Sequence, residues 1–141
     1  MPHLVILYTA NLDRETDMGV LCRTLADAML GVTDEAGEQV FPTGGTRVLA
    51  YPAPHYAVAD GKPPQGDYAF VYLHLRMARG RSDAIKKVAG DQLLALARAH
   101  FEPQFRENRL IGITLQVDEG HEAYNGRHST IHTLFQGPPH A

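Results

Sequence analysis

The chain of 141 residues has no tryptophan, one cysteine and no long apolar run. A single cysteine, Cys22, excludes an intrachain disulfide framework and a cysteine-rich metal site, and it favours a reducing, cytoplasmic location. No apolar run approaches the roughly 20 residues that cross a bilayer, so we expect no membrane-spanning segment. The first residues have no basic segment and only a short apolar run, which argues against a signal peptide.

Basic residues are not in excess. The chain has 13 Lys and Arg against 16 Asp and Glu, and its formal net charge is −3. Nucleic acids and membrane surfaces are bound through a basic face that neutralises phosphates, so this balance argues against both kinds of partner. The composition of 44% hydrophobic and 21% charged residues is typical of a globular chain with a buried core. At this length we predict one domain over residues 1–141.

Hydrophobic periodicity predicts the element order β-α-β, loop, β-α-β. The predicted strands cover residues 3–9, 46–51, 68–77 and 110–118. The first predicted helix runs from about Leu12 to Leu30, with Gly31 as its stop. The second is predicted to begin after Ser82 as N-cap and to end before Pro103.

The two β-α-β halves, at about residues 2–53 and 67–118, are followed by a polar tail over 120–141. They predict an α+β fold in which a four-stranded sheet carries both helices on one face. Along the third strand, apolar side chains alternate with polar and aromatic ones, so the two faces of the sheet differ. Helices on one face leave the mixed face open, and we therefore predict a homo-oligomer.

Pro2 directly precedes the first buried strand. An aminopeptidase removes the initiator methionine before a small residue such as proline, and the exposed group is then a secondary amine at a fixed position. This chemistry makes Pro2 a candidate acid–base residue. The alternative is that Pro2 follows Met1 without any catalytic role.

Several short segments together carry a resemblance to one family. In chain order they are Met1–His3 with its strand, residues 41–47, residues 67–71, Gly80–Ser82 and the region near His132 to Phe135. With these segments the chain resembles the 5-carboxymethyl-2-hydroxymuconate isomerases of the tautomerase superfamily. The resemblance implies a tautomerase-like β-α-β-β-α-β fold, a homotrimer, and no metal or organic cofactor.

The resemblance also implies a reaction and its site residues. The dienol 5-carboxymethyl-2-hydroxymuconate, a small polycarboxylate, would become its 2-oxo-3-ene isomer in homoprotocatechuate (4-hydroxyphenylacetate) catabolism, with Pro2 as the proton shuttle. Arg47 and Arg81 would bind substrate carboxylates, for which the planar guanidinium is well suited. The pKa of an α-amine is about 7.7–8.0, and nearby cations together with partial desolvation lower it. Arg81 also precedes the Ser82 cap, where a helix N-terminus favours anions.

Other polar residues are weaker candidates. His128 and His132 have the i, i+4 spacing of a zinc-binding helix, but no acid lies between them and a turn precedes them, so we expect no metal site. Cys22 lies on the apolar stripe of the first helix and is expected to be a buried thiol. His74 is expected to hydrogen-bond at an interface, and Phe41 is a candidate pocket wall or core anchor.

Two other functions stay open at this point. The same machinery suits a tautomerase that acts on another 2-hydroxydienoate or an arylpyruvate enol. A non-catalytic trimeric binding or scaffold protein is the other alternative. Retention of Met1 would favour the latter, because the Pro2 nitrogen would then be an amide without useful basicity.

Overall fold

The computed structural model of the chain describes residues 2–64 and 66–136. Its strands are β1 (His3–Thr9), β2 (Arg47–Ala53), β3 (Ala69–Ala78) and β4 (Ile111–Gly120). Its helices are α1 (Met18–Leu30), α2 (Asp83–His100) and α3 (Glu102–Arg106). Short 3₁₀ helices lie at Ala10–Leu12, Thr43–Gly45 and His132–Phe135. Within the described ranges, no helix combines the length and the apolar composition needed to cross a membrane.

The four strands form one mixed sheet in the order β2-β1-β3-β4. β1 pairs in parallel with β2, β3 pairs in parallel with β4, and the antiparallel pairing of β1 with β3 joins the two units. α1 packs against α2 and β2, and α2 packs against β4, so both helices cover the same face. The predicted α+β fold class is therefore confirmed. The single domain over residues 1–141 stays a prediction.

The core lies between the helices and one face of the sheet. The β1–β3 register sets Leu4 against Leu75 and Ile6 against Leu73, and these four side chains are fully buried. The helices bury their own apolar stripes against this layer; the buried members are Met18, Leu21, Leu25, Ala26, Met29, Ile85, Ala89, Leu93 and Ala97. The alternation of apolar and polar side chains along the third strand therefore predicted correctly which face of the sheet is buried.

The start of the first helix was predicted wrongly. α1 begins at Met18, and the Asp17 carboxylate accepts hydrogen bonds from the backbone N–H groups of Gly19 and Val20 at 2.8 and 3.2 Å. The Asp17 side chain thereby satisfies backbone donors that have no partner inside the helix. Asp13, which lies inside the predicted helix, accepts a 2.5 Å hydrogen bond from the Tyr8 hydroxyl. The predicted end at Gly31 is confirmed.

Other boundaries differ where tertiary context overrides a local signal. β2 continues through Pro52 to Ala53, because an edge strand tolerates a residue without an N–H donor. β4 extends to Gly120, and β3 occupies 69–78.

The Ser82 cap is confirmed by its 3.2 Å hydrogen bond from the Ile85 N–H. The short helix α3 was not predicted, and it holds Pro103 in its first turn, where proline is tolerated.

The sheet face opposite the helices is open. Its first cross-strand row consists of Arg47, His3, Arg76 and Asp118. The second consists of Leu49, Val5, His74 and Gln116, and the third of Tyr51, Leu7, Tyr72 and Thr114. Leu7, Leu49 and Tyr51 are 47%, 45% and 51% exposed. The open face therefore has a charged end, and Leu7, Leu49 and Tyr51 form an exposed apolar patch on its β1–β2 side.

Candidate active site

Pro2 and Arg47 lie at the same edge of the sheet. Pro2 is buried and comes immediately before β1. The parallel register sets His3 opposite Arg47, the first residue of β2. Because paired parallel strands that begin in register start at one edge, the residue before His3 is close to the start of β2. The structure thus brings together two of the three predicted site residues.

His3 lies between two arginines in the first row of the open face. Its register partners are Arg47 in β2 and Arg76 in β3. Burial and the Arg47 guanidinium lower the pKa of His3; Arg76 acts in the same direction and Glu122 opposes it. A lowered pKa keeps the imidazole neutral at pH 7, so the positive charge at this edge comes from the arginines.

Arg81 lies between β3 and α2 and is half-buried. Its Nη2 donates to the Val40 carbonyl oxygen at 3.0 Å. Its Nε is buried and has no hydrogen-bond partner within the described residues. A cavity of about 430 Å³ lies beside it and is lined in part by Asp34 and Glu35. Among the described residues, no hydrogen bond or ion pair joins Arg81 to Pro2 or Arg47.

A short turn, residues 41–46, lies between the contact of Arg81 and Arg47. It follows Val40, whose carbonyl oxygen accepts the hydrogen bond from Arg81, and it leads into Arg47 at the start of β2. Phe41 is fully buried, so it anchors the turn in the core and does not form an open pocket wall. The backbone of Pro42 accepts hydrogen bonds from the Gly45 N–H at 3.0 Å and from the Thr46 hydroxyl at 2.9 Å. The turn between Val40 and Arg47 is therefore anchored in the core and held by hydrogen bonds.

The C-terminal part of the chain returns to this turn. The 3₁₀ helix His132–Phe135 contacts the 3₁₀ helix Thr43–Gly45. A Cβ added at Gly44 would lie 2.9 Å from the His132 Cα, closer than side chains normally approach backbone. Only glycine therefore permits this contact without a shift. Sequence reasoning gave His132 no role, since nothing in a polar tail predicts which loop it meets.

The family model of 5-carboxymethyl-2-hydroxymuconate isomerase matches residues 2–135. The chain belongs to this family. The match spans the segments that carry Pro2, Arg47, Arg81 and His132.

Individual members of the isomerase family are similar to the chain along most of its length. It is 29% identical over 136 residues to a curated Escherichia coli 5-carboxymethyl-2-hydroxymuconate Delta-isomerase, which covers 96% of this chain and 100% of that protein. A crystal structure of a 5-carboxymethyl-2-hydroxymuconate delta-isomerase is 55% identical, has a TM-score of 0.92 and covers 99% of this chain and 96% of its own. A 5-carboxymethyl-2-hydroxymuconate isomerase from Deinococcus radiodurans R1 is 34% identical, has a TM-score of 0.82 and covers 96% of this chain and 95% of its own. The prediction of an isomerase is confirmed.

A polar network on the open face of this isomerase-family chain includes Asp118 of the first row. His74 Nε2 is 2.5 Å from Asp118 Oδ2, and the Tyr72 hydroxyl donates to Gln116 Oε1 at 3.0 Å. Hydrogen bonds from Gln116 and His74 lower the pKa of Asp118. The network satisfies these groups inside one subunit, and the predicted interface role of His74 stays a prediction.

Residues that suggested other chemistry are placed differently. Cys22 is half-buried, and burial raises the pKa of its thiol, which disfavours the nucleophilic thiolate. His128 precedes the 3₁₀ helix that begins at His132, so the two imidazoles do not share a helix face. Over residues 2–64 and 66–136, no group of three or more His, Cys, Asp or Glu side chains is arranged to hold a metal ion.

A large cavity is remote from the charged edge. It has a volume of about 720 Å³ and is lined in part by Tyr8, Asp13, Cys22 and Ala50. Tyr8 lies near the carboxyl end of β1, whereas Pro2 precedes the amino end of that strand. This cavity therefore does not include the edge at which Pro2 and Arg47 lie.

Proposed function

We propose that this chain isomerises 5-carboxymethyl-2-hydroxymuconate to its 2-oxo-3-ene isomer, with Pro2 as the proton carrier and Arg47 and Arg81 as carboxylate-binding residues. The observation that carries the proposal is the position of Pro2, buried immediately before β1, beside the strand that begins with Arg47. Family membership supplies the substrate class and the type of reaction. Removal of Met1 is part of the proposal, because only the free secondary amine has useful basicity.

The step requires one group that accepts and returns a proton. The neutral Pro2 nitrogen takes the proton of the 2-hydroxyl, and the O–H electrons form the C2=O bond. The C2=C3 electrons move to C3=C4, and the C4=C5 electrons take the proton from the Pro2 ammonium at C5. Atoms and electrons balance without an oxidant, a metal or an organic cofactor.

The surroundings of Pro2 support its role as a base. Burial and the positive charges of Arg47 and Arg76 disfavour a protonated amine, so we expect its pKa to lie below the usual value of about 7.7–8.0. Neutral His3, one residue away, adds no positive charge of its own, so the arginines supply the positive charge at this edge. A pH–rate profile with its acidic limb centred above pH 9 would contradict this assignment.

The family resemblance assigns the two arginines to substrate carboxylates, and their surroundings support this assignment. Arg47 lies at the Pro2 edge, where a guanidinium stabilises charge that develops on the 2-oxygen and the adjacent carboxylate. Arg81 is held by Val40 and has a buried Nε donor without a partner among the described residues. A substrate carboxylate would satisfy that donor.

The proposal includes a homotrimer in the cytoplasm. The open sheet face exposes Leu7, Leu49 and Tyr51, an apolar patch that a neighbouring subunit would cover. The single cysteine supports a reducing compartment.

The experiment is an ultraviolet assay of the dienol band with purified protein of known intact mass. Rapid loss of 5-carboxymethyl-2-hydroxymuconate by protein without Met1 supports the proposal. Absence of turnover by that same species overturns it. Turnover of other 2-hydroxydienoates or of arylpyruvate enols then separates a different tautomerase from a non-catalytic binding protein.

A further inference from the structure

The C-terminal segment, here residues 121–136, runs back across the charged edge of the sheet. His132 packs on Gly44, which lies three residues before Arg47, and the 3₁₀ helix His132–Phe135 contacts the one at Thr43–Gly45. In agreement with this placement, Glu122 raises the pKa of His3. The segment is therefore positioned to contribute side chains to the site that contains Pro2 and Arg47.

His132 is fixed in one protonation state. The guanidinium of Arg127 only donates, so its Nη1, 3.0 Å from His132 Nε2, makes that nitrogen an acceptor without a proton. The imidazole proton is then on Nδ1, which lies 3.3 Å from the Ser129 hydroxyl oxygen. Burial lowers the pKa of His132, as do Arg127 and Arg47. A neutral imidazole whose Nε2 is already engaged orients a neighbour and does not act as a proton carrier.

The group that His132 orients is an exposed cation. Arg127 is solvent-accessible and is hydrogen-bonded to the His132 imidazole. The charge of Arg47 also lowers the pKa of this imidazole. A guanidinium whose orientation is already fixed loses less entropy when it binds a carboxylate. The proposed substrate has three carboxylates, and the proposed function assigns only two arginines to them.

We propose that Arg127 binds the third substrate carboxylate, that of the 5-carboxymethyl arm, and that His132 on the Gly44 turn is its positioning residue. The inference rests on the proposed function. It makes the C-terminal segment the part of the chain that distinguishes tricarboxylate from dicarboxylate dienols.

The test compares kcat/KM for 5-carboxymethyl-2-hydroxymuconate and for 2-hydroxymuconate, which lacks the carboxymethyl arm. Arg127→Gln should lower the first value by about tenfold or more, mainly through KM, because a hydrogen bond between charged groups is stronger than one between neutral groups. It should change the second by less than about twofold. Equal losses for both substrates, or no loss for either, overturn the proposal. Arg23→Gln is the matched control, since Arg23 is an exposed arginine paired with Asp27 on α1.

The positioning role has its own variants. His132→Gln keeps an acceptor near the place of Nε2 and should retain the selectivity, whereas His132→Leu should lose it. Gly44→Ala should also lose it without any change of charge, because the added Cβ meets the His132 backbone. Gly90→Ala is the control, since its Cβ meets only Leu115 and Val117 side chains at 3.7 Å. Selectivity that survives both His132→Leu and Gly44→Ala rules out the positioning role.

Failure of the proposed function is separable from failure of this inference. If protein without Met1 turns over neither dienol, calorimetry with tricarballylate and glutarate replaces the kinetic comparison. Preferential binding of tricarballylate that Arg127→Gln abolishes supports the carboxylate site. Equal affinity of wild type and Arg127→Gln for tricarballylate overturns it.

Discussion

Arg47 is the register partner of His3 at the first position of the parallel β1–β2 ladder. This pairing fixes a cation beside the residue that follows Pro2, and it does so through backbone hydrogen bonds that no single side chain controls. The site therefore depends on the correct start of two strands that lie 44 positions apart in the chain. Substitutions at this charged edge are expected to change activity, whereas substitutions in the core are expected to change stability.

Pro2→Ala should reduce kcat/KM for the dienol by well over tenfold. Alanine leaves a primary amine at the same place, without the secondary amine and the ring that hold the base in position. Intact mass must show that Met1 is absent from both proteins. Full activity of the processed variant would remove Pro2 from the mechanism.

Arg47→Gln and Arg81→Gln should each raise KM for the dienol by about tenfold or more, because each removes a charge-assisted contact to a carboxylate. Arg47→Gln should also lower kcat, since a cation at the Pro2 edge stabilises the developing charge. Steady-state kinetics with Arg23→Gln as the control measure both effects. Unchanged KM in both site variants would show that the carboxylates are bound elsewhere.

The stability of the chain should fall below about pH 6.5 in part through His100. Its Nε2 lies 2.7 Å from the Thr16 hydroxyl, and burial lowers the pKa of His100 from 6.5, against an opposing effect of Asp17. The unfolded state therefore binds the proton first as the pH falls. The contribution of His100 is present above pH 6.5 and is lost as the pH drops through the lowered folded value.

Urea unfolding at pH 7.5 and at pH 5.5 checks this expectation. The loss of unfolding free energy between the two pH values should be smaller in His100→Gln than in wild type. A residual loss is expected in both proteins, because the pKa values of His3 and His132 are lowered as well. An identical loss in the two proteins would exclude His100 as a contributor.

Leu73→Ala should lower the free energy of unfolding by roughly 2–5 kcal/mol, since it opens a cavity in the core. Leu73 is fully buried in the central strand β3, opposite Ile6. The control is Val88→Ala on α2, where the valine is 58% exposed and the change should be within about 0.5 kcal/mol. Chemical denaturation of both variants gives the two numbers.

Leu49→Asp should dissociate the proposed trimer. Leu49 is an exposed apolar residue in the middle row of the open face, where a buried carboxylate would be costly. Sedimentation should give about three times the chain mass of 15.5 kDa for wild type and the chain mass for the variant. Val20→Asp on the exposed side of α1 is the control and should stay trimeric. A wild-type chain that sediments only at 15.5 kDa at micromolar concentration would contradict the proposed trimer.

Several elements of the fold followed from local patterns. The alternation of Val71, Leu73 and Leu75 identified the core face of β3, and Ser82 marked the start of α2, because each signal is local and had no competitor. The first helix begins later than predicted. The Asp13 carboxylate accepts a hydrogen bond from Tyr8, and the Asp17 carboxylate is the one that caps the helix. That choice depends on a strand residue five positions earlier in the chain and is not visible in helical periodicity.

The sequence by itself determined the α+β element order, the apolar stripes and, through ordered short motifs, the isomerase family. These properties depend on residue types at short spacing, where the chain geometry is nearly fixed. Only the tertiary structure decided that Arg47 lies beside His3, that Arg81 contacts Val40, and that the C-terminal segment docks on Gly44. Those contacts join distant parts of the chain, and strand register and core packing select them from many arrangements that the same local patterns allow.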